Sequence, residues 1–192
     1  MNKAAFIVGN GVSRNSIDLN DLVGQAPIYG CNALYRDFDK WDYLVSIDQG
    51  MVQEIRNAQG LYGNGIVIVP PEEQHYEPRE YSPHRRRNNA GMVAMDTAIK
   101  LGFNVLYLLG IDFVLKGDIS TDNVYKNTYN YGPETHATQD DNFYRMKYFE
   151  WFVRKNNDVK FIFVIPEDYR VRAIDSGNVL TMASDIFKTK LK

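Results

Sequence analysis

Ala4-Ala5-Phe6-Ile7-Val8-Gly9-Asn10-Gly11-Val12-Ser13 decides how the chain reads. A short apolar run ends in two glycines around an asparagine, with a polar residue just beyond. Such a run, bounded by glycine, fits a central strand of a parallel sheet. Gly9 and Gly11 lack a Cβ, so the backbone can turn sharply and come close to a ligand. Past Ser13, free amides at the start of a following helix would face an anion. The stretch predicts a nucleotide phosphate site at the end of the first strand. Arg14 stands where the dinucleotide fingerprint has its third glycine, which disfavours a standard NAD site.

The same strand-then-polar pattern recurs. Residues 27–32 read as a second strand ending on Asn32, about 20 residues past the glycine turn, where dinucleotide enzymes place an acidic ribose ligand. An amide there both donates and accepts, and can read a base or sugar edge without charge. Residues 43–48 form a third strand ending on Asp48, and 65–70 a β-branched fourth stopped by Pro70 and Pro71. Residues 104–112 are the most apolar strand and close on Asp112. Residues 159–166 are a sixth. In open α/β sheets ligands bind outside the carboxyl ends of the strands, so Asn10, Asn32, Asp48 and Asp112 are candidate contacts. The expected architecture is α/β: a mostly parallel sheet of about six strands with helices on both faces, in one domain.

Between the strands, residues 15–23, 51–58, 142–155 and 179–188 read as helices. Asn89 is an N-cap for a helix carrying Met92, Val93, Met95, Ala98 and Ile99. Ala90 and Gly91 lie in its first turn, where the small residue leaves room for a ligand. Residues 72–87 hold His75, His84 and the run Arg85-Arg86-Arg87 without a clear period, and read as a surface loop. Its arginines suit either a phosphate clamp or a solvated face. The pair Asp37 and Asp39 flanks an aromatic, but a hard cation wants more converging oxygens than two. Residues 113–142 break the pattern. They contain Tyr125, Tyr129, Tyr131 and His136 among small polar residues, and read as a functional lid.

Composition bounds the function. The chain has 192 residues, 44% hydrophobic and 24% charged, which is enough for a real core. A net charge of −2 argues against broad nucleic-acid binding. The single cysteine, Cys31, excludes an internal disulfide and a cysteine-rich zinc site. No apolar run approaches the roughly 20 residues that span a bilayer, and the start does not read as a signal peptide. The expected setting is cytoplasmic. Oligomeric state is left open, a homo-oligomer included.

Gly9-Asn10-Gly11-x-Ser13, Gly30-Cys31-Asn32-Ala33-Leu34-Tyr35, and residues 94–102 leading into Tyr107-Leu108-Leu109-Gly110-Ile111-Asp112-Phe113 together resemble the small bacterial sialyltransferases of lipooligosaccharide. They also resemble the related domain family of 6-hydroxymethylpterin pyrophosphokinase. The resemblance spans roughly residues 6–166. It implies a Rossmann-like fold and a CMP-sialic acid donor used as co-substrate, with no metal and no further cofactor. It puts Asn10 near the reacting sugar phosphate, Asn32 near the cytidine, and Asn89, Ala90 and Gly91 along the donor. His136 would deprotonate the acceptor hydroxyl of a glycan, and two of Tyr125, Tyr129 and Tyr131 would stabilise the leaving phosphate. Imidazole changes charge near neutrality, which suits a base. Phenol hydroxyls and a helix terminus can meet phosphate charge without a cation. Two residues depart from the pattern: Val12 replaces a proline, and Ala90 lacks the hydroxyl usual before the glycine. Two alternatives stay open. One is a magnesium- and ATP-dependent diphosphate transferase with Asp48 and Asp112 on the metal. The other is a nonenzymatic nucleotide- or glycan-binding module.

Overall fold

The structure is a computed structural model and describes residues 2–58, 65–69 and 89–191. The arginine loop with His75, His84 and Arg85 to Arg87, together with Pro70 and Pro71, lies outside the described residues.

The strands are β1 (Ala4–Val8), β2 (Ile28–Cys31), β3 (Tyr43–Val45), β4 (Ile66–Ile68), β5 (Val105–Leu109), β6 (Lys160–Ile165) and β7 (Val179–Ala183). They form one sheet in the order β4-β3-β2-β1-β5-β6-β7, parallel throughout. The chain builds outward from β1 to β4, then returns to pair β5 on the other side of β1, Ile7 against Leu108. The order therefore reverses between β1 and β5. A crevice at the carboxyl ends of those two strands is the place such a sheet offers a ligand.

Alternation along β1 divides the core. Ala5 and Ile7 pack under α2 (Ala90–Lys100) and α3 (Gln139–Lys155), with Met95, Phe149 and Phe163. Phe6 and Val8 face α1 (Gln49–Asn57) and α4 (Ser184–Lys190), with Ile55 and Phe187. Period-2 alternation at a strand buried on both faces sends neighbours to opposite layers, which is why β1 is apolar throughout. Among the described residues, no helix is long and apolar enough to cross a membrane.

Three local expectations need correction. Residues 15–23 are not a helix; they make 3-10 turns at Val12–Ser16 and Leu19–Leu22. The Asp18 side chain accepts the Asn20 amide, and the Ser16 hydroxyl donates to the Ser13 carbonyl. Such side-chain bonds compete with a helical ladder. Residues 179–188 are not one helix either. Val179–Ala183 pairs with β6, and only then does α4 begin. An unpaired edge of β6 would leave a row of polar groups that a strand satisfies and a helix does not. Third, residues 113–142, which break the strand-and-helix pattern of the sequence, do carry secondary structure. They hold 3-10 turns at Asp118–Thr121 and Pro133–Thr135, and α3 starts at Gln139 behind a Thr138/Asp141 capping box.

Candidate functional site

A cavity of about 710 Å³ opens at the carboxyl ends of β1, β2 and β5. The glycine turn, Cys31 and Asn32 at the end of β2, Asp48 before α1, the start of α2, and parts of the stretch between Ser120 and Arg145, among them Tyr131 and His136, line it.

Its floor is the contact between the β1 and β5 turns. The Gly9 amide donates to the Leu109 carbonyl at 2.8 Å and the Gly11 amide to the Gly110 carbonyl at 2.9 Å. A Cβ on Gly9 would lie 2.3 Å from the Gly110 oxygen, and one on Gly11 would lie 2.3 Å from Asp112 Cγ. These glycines therefore let two loops approach each other, while their outer faces line the cavity. Gly91 serves α2 in the same way, because a Cβ there would meet Ile111 Cδ1 at 2.9 Å.

Of the turn residues, Ser13 is placed away from the cavity: it is buried and does not line it. Its amide and hydroxyl both donate to the Asp112 carboxylate, at 2.9 and 2.5 Å. Burial pushes the Asp112 carboxyl up to about 6, against the lowering effect of the Ser13 bonds. The Asp37 carboxylate is likewise taken, by Arg14 at 2.9 Å. Among the described residues, no group of three or more His, Cys, Asp or Glu side chains converges to hold a metal.

Asn10, buried at 8% exposure, donates through Nδ2 to the Tyr131 hydroxyl at 3.0 Å. Its Oδ1 is buried with no partner among the described residues. Asn32 sits at φ 50, a left-handed backbone that a side chain other than glycine rarely adopts. Its Nδ2 lies 3.4 Å from Asp48 Oδ2, and its Oδ1 is also buried without a partner. Asp48 is the N-cap residue of α1, yet its side chain makes no capping bond. At α2 the cap is filled: Asn89 Oδ1 accepts the Met92 amide at 3.0 Å, leaving Ala90 and Gly91 on the cavity wall. His136 lines the same cavity from the segment after the Pro133–Thr135 turn, its Nε2 buried without a partner.

The three tyrosines part company. Tyr131 lines the cavity. Burial raises its hydroxyl pKa, with the Asp48 charge acting the same way. The Asn10 amide and the Ala33 backbone N–H act in the opposite sense, and the net shift is upward. The phenol is held protonated. Tyr125 does not line the cavity; it is buried, receives Arg14 Nη2 at 2.8 Å and donates to Asp37. Tyr129 is 76% exposed and outside the cavity wall. A spacing of two or four residues in a loop carries no information about which ring turns inward, so the sequence left all three equal.

Sequence reasoning also missed three residues. Arg145, on the second turn of α3, lines the cavity, with Nη1 donating to Asn142 Oδ1 at 3.1 Å. Arg36 and Glu54 form a half-buried ion pair beside Tyr131. Arg145 follows His136 by nine residues inside an amphipathic pattern, which was a usable signal. Arg36 and Glu54 lie on different elements and gave none.

No protein-family model matches the chain, and no curated protein matches it. Solved structures do. The sialyltransferase CstII from Campylobacter jejuni in complex with cytidine-5'-monophosphate is 16% identical over 84% of this chain and 79% of that one, with a TM-score of 0.57. A single-substitution variant of CST-II with CMP is 16% identical over 98% of both chains, with a TM-score of 0.59. The MAf glycosyltransferase from Magnetospirillum magneticum AMB-1 matches 96% of this chain but 34% of its own length, at 15% identity and a TM-score of 0.54. At such identities the similarity is one of fold: the chain has the α/β architecture of these glycosyltransferases.

Proposed function

We propose that the chain is a glycosyltransferase-like enzyme that moves a sialic-acid-type sugar from a CMP-sugar donor to a hydroxyl of a glycan acceptor. Residues 1–192 act as one nucleotide-binding domain, with residues 113–142 as its lid. One observation carries the reading. Among the described residues, Asn10 Oδ1, Asn32 Oδ1 and His136 Nε2 are buried polar atoms without a partner, and all three residues line one cavity. Buried polar atoms are ordinarily paired, so three at one cavity point to a polar ligand.

The chemistry of those atoms assigns the ligand's parts. Both amide oxygens accept, so they suit hydroxyl or amine donors of a nucleoside and sugar, not phosphate oxygens. This moves Asn10 away from the phosphate contact expected of it. The Tyr131 hydroxyl is the neutral donor suited to phosphate, with Arg145 the cavity's guanidinium. In the transfer, the acceptor oxygen attacks the anomeric carbon and the bond to the CMP oxygen breaks. CMP leaves with the electron pair, and the acceptor proton passes to His136 Nε2. Asp112 is ill suited to a metal in this scheme, because Ser13 already occupies both its oxygens.

Calorimetric titration with CMP, UMP, GMP and ATP tests the reading. Binding of CMP in preference to the others, with release of CMP from its sugar donor, is the expected result. No cytidine binding removes the donor assignment. ATP binding that needs magnesium supports the diphosphate transferase instead, and CMP binding without donor turnover leaves a nonenzymatic module.

A further inference from the structure

We infer, resting on the reading above for its kinetic part, that Glu54 is a positioning residue that holds Tyr131 in the cavity through Arg36 and Asn130. The Glu54 carboxylate receives Arg36 Nε at 2.7 Å, Arg36 Nη2 at 2.6 Å, the Tyr35 hydroxyl at 2.6 Å and Asn130 Nδ2 at 2.7 Å. Arg36 then reaches the loop itself, donating to Thr128 Oγ1 and to the Tyr129 carbonyl, both at 2.8 Å. Its guanidinium also lies 5.7 Å from the centre of the Tyr131 ring.

The loop is thus tied on each residue from 128 to 130, immediately before Tyr131. Asn130 is held at φ 64, and its Nδ2 also reaches the Gly50 carbonyl at 3.2 Å. A Cβ on Gly50 would stand 2.5 Å from Asn130 Oδ1, so the bare backbone there is what admits the amide. Left-handed backbone at asparagine persists where surrounding contacts over-determine it. Beyond the latch, Tyr131 ends on Asn10 at the glycine turn. The ion pair therefore connects α1 to the donor side of the cavity through one loop. An apolar contact would hold a loop at lower desolvation cost, whereas directional bonds to a charged pair define one register. One register is what a hydroxyl aimed at a single ligand atom requires.

Backbone amide exchange reads the latch directly. The amides of Asn127 and Tyr131 are bonded inside the loop, to the Tyr131 and Thr128 carbonyls at 2.9 Å each. Glu54→Gln is expected to speed exchange at both by about tenfold or more, with Ile7 and Leu108 unchanged. Asn130→Gly keeps the left-handed backbone, removes the amide, and is expected to act alike if Glu54→Gln folds poorly. In donor hydrolysis, Glu54→Gln should lower kcat by about tenfold with KM within about twofold. The same substitution should add nothing in a Tyr131→Phe background. Unchanged exchange at Asn127 and Tyr131 overturns the inference, as does a kcat loss that adds in full to Tyr131→Phe. Should the wild-type chain release no CMP from any donor, the transferase reading falls, and the exchange result alone decides the latch.

Discussion

Asp112 and Ser13 are 99 residues apart in sequence, and the carboxylate of one fills the turn headed by the other. The anion that the first glycine turn holds is supplied by the chain itself. The turn is thereby fixed to the end of β5, and the cavity lies above this joint rather than in it.

This joint makes stability depend on pH. Burial lifts the Asp112 carboxyl from 3.8 to about 6, with the Ser13 bonds opposing. Between roughly pH 4 and 6 the folded chain therefore keeps a proton that the unfolded chain has lost. Stability from this group falls as pH rises through that window, by about 3 kcal/mol in all. Chemical denaturation of wild type and Asp112→Asn should show their difference shrinking from pH 4 to 6 in the wild type's disfavour, then levelling off.

Gly11→Ala tests the same joint sterically. Gly11 has an ordinary φ of −66, so alanine strains no backbone. The new methyl would stand 2.3 Å from Asp112 Cγ. Overpacking of this kind costs about 1–3 kcal/mol. Urea denaturation should record that loss, together with a weaker dependence on pH between 4 and 6 as the carboxylate is displaced.

Asn178 closes α3 from a distance. Its Nδ2 is shared among the carbonyls of Val153, Asn156 and Val159 at 2.9 to 3.0 Å, and Ser176 Oγ donates to its Oδ1. Asn178→Ala leaves the carbonyls at the end of α3 and in the turn to β6 without this donor and should cost about 1–3 kcal/mol. Asn178→Asp, which turns a negative charge toward the same carbonyls, should lower the melting temperature further.

His136→Ala separates binding from chemistry. The residue lines the cavity, and its Nε2 is buried without a partner among the described residues. Removing it should leave CMP affinity within about threefold by calorimetry and lower transfer by about 100-fold or more. A parallel loss of both would assign His136 to donor binding instead.

Much of the architecture was legible because it follows from local patterns. Apolar runs ending in Gly, Asn or Asp mark parallel strands, and Asn89 before an apolar helix marks a cap. β7 was not legible: Val179-Leu180-Thr181-Met182-Ala183 is short and ambiguous in period, and it is a strand through its parallel pairing with β6, a contact between distant segments. The lid tyrosines could not be ranked for a related reason, since a loop has no period to say which side chain turns inward.

By itself, the sequence determined that polar residues would gather at the carboxyl rim of a parallel sheet, because strand periodicity and glycine turns are properties of neighbours along the chain. Only the tertiary structure decided which of them share the cavity. It set Asn10, Asn32, Tyr131 and His136 around one space, turned Ser13 and Tyr125 inward to Asp112, Asp37 and Arg14, and left Tyr129 in solvent. Those outcomes rest on pairings across 88 to 121 residues, and a hydrogen bond between distant segments leaves no trace in the spacing of either one.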